Sequence, residues 1–119
     1  MGCLFRLQTI EFSNNWFGGG IPNNLSCCSR LEWLNLIDNN LTGNIPAKLG
    51  SLSRLGTLAL SINKCYNNGG IGKLLKLTLL SMAANNLAGP IPSSIGTLHK
   101  QQELLLGGNK FTKLSSSLA

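Results

Sequence analysis

Acidic residues are scarce here: four, against ten lysines and arginines in 119 residues, for a formal charge of +6. That balance admits an anionic partner. However, the few aromatics, 6% of the chain, are not interleaved with the basic residues as base stacking requires, so no nucleic-acid partner is expected. Charged residues make up only 12% and apolar ones 43%, which excludes a disordered composition. No run of 18 apolar residues occurs, which excludes a membrane-spanning helix. The opening MGCLFRLQTIEF lacks the continuous apolar core of a secretory signal, so none is expected there. Arg6 stands where a myristoylation pattern takes Ser or Thr. His99 is the single histidine, and none of the four cysteines is spaced CxxC, so neither a metal site nor a metal cofactor is expected. GGG at 18–20 and GGIG at 69–72 lack the spacing of a phosphate loop. No nucleophile–base pair stands out, so the chain does not read as an enzyme and no cofactor is expected.

What the chain has in abundance is repetition. Residues 31–54, LEWLNLIDNNLTGNIPAKLGSLSR, lie in register over residues 77–100, LTLLSMAANNLAGPIPSSIGTLHK. Both fit LxxLxLxxNxLxGxIPxxLxxLxx. Residues 7–30 fit the same frame, 55–76 form a shortened copy, and 101–119 open a partial one; together they define one domain over 4–118. This is the pattern of leucine-rich repeats. LxL places Leu34 and Leu36 on one face of a short strand, and Leu41, Ile45, Leu49 and Leu52 point inward from the return path. No single repeat encloses its own core, so each is stabilised by its neighbours. Asn15, Asn39, Asn63, Asn85 and Asn109 recur as a ladder, placed to bond backbone groups that the bend leaves unpaired. Gly19, Gly43 and Gly89 permit conformations that other residues resist.

The LxGxIP element marks the plant-specific class of leucine-rich repeats. NLIDNNLTGNIPAKLGSLSRL and LLSMAANNLAGPIPSSIGTL resemble ectodomains of plant leucine-rich-repeat receptor kinases, especially those of immune receptors. The resemblance spans nearly the whole chain. It implies a right-handed α/β-type solenoid, with one short parallel strand per repeat on the concave face and irregular or 3-10 segments on the convex face. It also implies an extracellular or plasma-membrane recognition module in signalling or pathogen defence, with a peptide or protein ligand and a co-receptor as partners. Asn24-Leu25-Ser26 and Asn40-Leu41-Thr42 would be glycosylation acceptors in a secreted chain. The family's signal peptide, membrane helix, kinase domain and paired-cysteine caps are not evident, so the chain reads as a fragment of such a receptor. Alternatives are an enzyme inhibitor of the polygalacturonase-inhibitor kind, which resembles the same repeat class, or a truncated, non-functional remnant.

Outward strand positions are the candidate binding residues: Trp33, Asn35, Asp38, Glu11, Ser13, Thr57 and Ser61. Trp33 leads, because a large ring at an outward slot is a typical hot-spot residue. Arg6, Arg30, Arg54, Lys76 and Lys100 each end a repeat and stack into one basic column, read mainly as a solvated edge. Cys28 and Cys65 occupy leucine slots and read as small buried hydrophobes. Cys3 and Cys27 occupy equivalent positions of neighbouring turns, near disulfide range; free thiols are the expectation, and pairing stays open. KCYNNGG at 64–70 falls in the shortened copy. Asn63 to Ile71 spans eight steps where Asn85 to Ile95 spans ten, which predicts an eroded, looser return path there.

Overall fold

The first leucine slot of each LxL, with the residue on either side of it, forms a strand of three residues. In this computed structural model, which describes residues 4–67, 74, 77–91 and 102–114, they are β1 (Thr9–Glu11), β3 (Trp33–Asn35), β5 (Thr57–Ala59), β7 (Leu79–Ser81) and β9 (Glu103–Leu105). They pair in parallel as one five-stranded sheet in the order β1-β3-β5-β7-β9. Register is set by the middle leucine slot: Ile10 lies opposite Leu34, Leu34 opposite Leu58, Leu58 opposite Leu80 and Leu80 opposite Leu104. Leu34 and Leu58 are fully buried. They join Leu31, Leu36, Leu41, Ile45, Leu49 and Leu60 in one continuous core. The result is the leucine-rich-repeat solenoid. Two 3-10 segments, Asn23–Cys27 and Ala47–Ser51, follow Pro22 and Pro46 on the return path.

The return path is more regular than the repeat pattern predicts. The segments after the ladder asparagines are strands too: β2 (Gly18–Gly20), β4 (Asn40–Asn44) and β6 (Lys64–Asn67) form one parallel sheet, and β8 (Ala88–Ile91) with β10 (Lys110–Leu114) another. Successive turns lie side by side, so extended backbone on the flank meets the same complementary N–H and C=O groups as backbone in the main sheet. Gly19, Gly43 and Gly89 sit in these strands at φ +77°, +82° and +82°. A Cβ at any of them would meet no atom within 4 Å, so the positive φ, not lack of room, selects glycine. The expected looseness of 64–70 is corrected in its first half. Lys64–Asn67 is a strand held against β4, with a register shift between Gly43 and Asn44, and Cys65 is fully buried. Residues 68–73, Cys3, Lys76 and Lys100 lie outside the described residues.

The asparagines bind each turn to the one before it. The Asn39 side-chain amide donates to Phe12 C=O at 2.9 Å and Leu36 C=O at 3.0 Å, and its Oδ1 accepts from Phe17 N–H at 3.2 Å. Asn63, Asn85 and Asn109 repeat that pattern. Across the turn the partners lie 27 and 22 positions back for Asn39, Asn63 and Asn109, but 25 and 20 back for Asn85. The two missing residues therefore fall between Cys65 and Asn85, and the ladder keeps its geometry across the gap.

A second column runs beside the ladder. The residue before each asparagine is left-handed: Asn14, Asp38, Ile62 and Ala84 at φ +55° to +59°, and Gly108 at +69°. Asn, Asp and Gly tolerate that region; a β-branched residue does not. Ile62 is held there by donating to Ala83 C=O at 3.0 Å and accepting from Asn39 N–H at 3.3 Å, while its side chain is 53% exposed. Ile62→Asn is therefore expected to stabilise the fold by about 1 kcal/mol, read as a raised urea midpoint. A lowered midpoint would refute the strain.

Candidate functional site

Outward residues of the main sheet form rows across the strands. Thr9, Trp33, Thr57, Leu79 and Glu103 make one row; Glu11, Asn35, Ala59, Ser81 and Leu105 make the next. Trp33 and Glu11 are therefore diagonal neighbours on adjacent strands, a separation that an aromatic side chain spans. The indole Nε1–H of Trp33 donates to Glu11 Oε2 at 3.0 Å, and Ser13 Oγ donates to Glu11 Oε1 at 2.8 Å. The Ser13 hydroxyl and then the Trp33 indole hold the Glu11 carboxyl below its ordinary pKa, because both hydrogen bonds favour the charged form. Trp33 keeps 41% of its surface exposed. Asn35 and Thr57 are half-buried, and Asp38 is exposed; the Asn35 Oδ1 accepts from Ile37 N–H at 3.1 Å.

The structure thus brings Glu11, Ser13 and Trp33 into one hydrogen-bonded group, with Asn35 in the same row as Glu11. It withdraws Ser61. Expected to face outward, Ser61 is only 8% exposed, and its hydroxyl shares a short hydrogen bond with that of Ser81. Ala59 and Ser81 are buried as well. Strand alternation gives the side on which a residue lies, but not whether small side chains there are overshadowed by larger neighbours. The ladder residues Asn63 and Asn85 are buried and use their amides on backbone, so neither offers a free amide to a ligand. Asn24, in a 3-10 segment, and Asn40, at the start of β4, are both exposed.

Of the described cysteines, Cys27 departs from the expected free thiol, and Cys28 and Cys65 are buried as their leucine slots predict. Cys27 is disulfide-bonded, not free, while Cys28 and Cys65 are free and buried. Burial pushes the Cys65 thiol above its usual pKa, which disfavours a reactive thiolate. Among the described residues no group of three or more His, Cys, Asp or Glu is placed to hold a metal ion. No helix among them is long and apolar enough to cross a membrane.

A stack of parallel turns around a leucine core, with polar and aromatic side chains on one sheet face, defines a leucine-rich-repeat solenoid. The chain belongs to the leucine-rich repeat family, whose profile matches residues 6–28, 30–52 and 76–98. No curated protein sequence matches the chain at a significant level. Among solved structures, the ectodomain of the receptor kinase SOBIR1 from Arabidopsis thaliana is similar at TM-score 0.83 and 34% identity, over 94% of this chain and 63% of that one. A plant ice-binding protein is similar at TM-score 0.83 and 29% identity, over 91% of this chain and 36% of that one. The Arabidopsis receptor kinase HAESA, solved with the peptide hormone IDA and the co-receptor SERK1, is similar at TM-score 0.79 and 33% identity, over 91% of this chain and 18% of that one. The chain spans less than two thirds of the length of each.

Proposed function

We propose that this chain is a ligand-recognition segment of a plant receptor-like kinase or receptor-like protein, acting outside the cell in signalling or defence. Its ligand is a peptide or protein docked on the concave sheet face, with a co-receptor as second partner. The observation that carries this reading is the ordered Glu11–Ser13–Trp33 group on the outward sheet face. A large aromatic with its polar end already satisfied loses little freedom on binding, as interface anchors do. The similarity to HAESA, solved with a peptide and a co-receptor, supports the partner class. The similarity to an ice-binding protein shows why the solenoid alone does not fix the ligand. A disulfide at Cys27 fits an oxidising compartment, where Asn24 and Asn40 would carry glycans.

The test is capture on the secreted chain. Expressed in plant cells, it is expected to reach the medium with a mass shift that endoglycosidase removes. Extracellular wash fluid passed over the immobilised chain is expected to yield a bound peptide or protein. Capture should fall about tenfold with Trp33→Ala and fall also with Asp38→Asn, which keeps the left-handed tolerance of the site. Equal capture by both variants would sink the assignment of this face.

A further inference from the structure

The charges of this chain are sorted by face. The five strand-and-bend segments, 8–15, 32–39, 56–63, 78–85 and 102–109, contain no lysine or arginine, and they contain all four carboxylates: Glu11, Glu32, Asp38 and Glu103. The described basic residues lie on the return path and at the repeat ends, among them the exposed Arg6, Arg30 and Arg54. A protein of net charge +6 thus has, among the described residues, strand-and-bend segments without positive charge.

On the sheet face one carboxylate is held in position. Glu11 receives one hydrogen bond on each oxygen, from Ser13 and from Trp33. Each carboxylate oxygen has a second acceptor direction. Both bonds come from neutral donors, and no cation among the described residues pairs with it. An exposed carboxylate fixed in orientation suits a planar guanidinium or an ammonium group. The exposed Trp33 indole beside it is the ring type that attracts cations best.

We infer that the Glu11–Trp33 pair recognises a basic side chain, so that the ligand on this sheet is a peptide segment presenting an arginine or lysine at that point. The inference rests on the sheet face being the docking surface. It adds the chemistry of the anchor. The hydrogen bonds from Ser13 and Trp33 lower the Glu11 pKa, which favours the charged form of the anchor.

A random peptide library panned against the full chain tests it. Peptides whose binding is lost with Trp33→Ala are expected to be enriched in Arg and Lys. Glu11→Gln should weaken them several-fold, by loss of an exposed ion pair, with the Trp33 ring still in place. Replacing the peptide's basic residue with norleucine should weaken binding at least as much, and Glu11→Gln should then cost nothing further against the norleucine peptide. Trp33→Phe, which keeps a ring and removes the indole N–H, should retain part of the binding; circular dichroism checks that each variant folds. Face-dependent peptides without basic enrichment, or indifferent to Glu11→Gln, would overturn the inference while leaving the docking face standing. If no selected peptide responds to any face substitution, the docking face falls, and the inference with it. Self-association of the chain that dissolves with Glu11→Gln would make a second copy's basic edge the occupant and overturn the peptide assignment.

Discussion

Asn63→Ala is expected to destabilise the fold by about 3 kcal/mol. Asn63 is buried, and its amide donates to Leu36 C=O at 2.9 Å, Leu60 C=O at 3.0 Å and Ser61 C=O at 3.3 Å. Its Oδ1 accepts from Leu41 N–H at 3.0 Å. The two shared carbonyls would keep a partner after the change: Leu36 still receives Asn39 and Leu60 still receives Asn85. Leu41 N–H would keep none, beside a side chain only 5% exposed, and an orphaned buried donor carries the larger part of the penalty. Asn15 makes only two bonds, both within its own turn, at an exposed position. Asn15→Ala is therefore expected to cost under about 1 kcal/mol. Asn63→Asp keeps the acceptor and the size, but turns donors into a charge facing three carbonyls; it should be at least as damaging as Asn63→Ala. Urea denaturation of the three variants reads the order. Equal losses for Asn63→Ala and Asn15→Ala would mean that the ladder is not the brace between turns.

Spacing made the turn legible, and lateral packing hid the rest. Leucines at LxxLxL and one asparagine per turn are local patterns, so the parallel strands, their register and the bend residues follow from the sequence alone. The two-residue gap was visible as a shift in spacing, and the hydrogen-bond offsets of Asn85 place it. The second set of strands was not visible. Gly18-Gly19-Gly20 has the poorest strand propensity available, and it is a strand only because Asn40–Asn44 of the next turn lies alongside. The left-handed column was written in Asn14, Asp38 and Gly108 but masked by Ile62 and Ala84, whose types argue against it. Cys27 illustrates another limit: equivalent positions on neighbouring turns put Cys3 and Cys27 in reach of each other, yet sequence cannot decide which thiols pair. At the candidate site, alternation identified Glu11 and Trp33 as outward. It did not reveal that one donates to the other, because that bond depends on a diagonal across two strands set 24 residues apart in register.

A second large effect follows from the one-dimensional stacking. Leu58→Ala is expected to cost about 4 kcal/mol, and Ile10→Ala about 2 kcal/mol. Leu58 is fully buried at the centre of β5, with Leu34 opposite on one side and Leu80 on the other. A cavity there weakens two interfaces between turns at once. Ile10 is 5% exposed on β1, which has β3 as its one neighbour in the sheet, so a cavity weakens one interface. In a solenoid, stability is close to a sum of repeat terms and nearest-neighbour terms. The central loss should therefore also divide the stack: Leu58→Ala is expected to lower the denaturant slope and broaden the transition, while Ile10→Ala shifts the midpoint and leaves the slope unchanged. Urea curves followed by far-ultraviolet circular dichroism separate the two outcomes. A Leu58→Ala curve displaced with its slope intact would show that the turns unfold as one unit despite the weakened middle. Coupling along the stack would then be carried mainly by the asparagine bonds rather than by the leucine contacts.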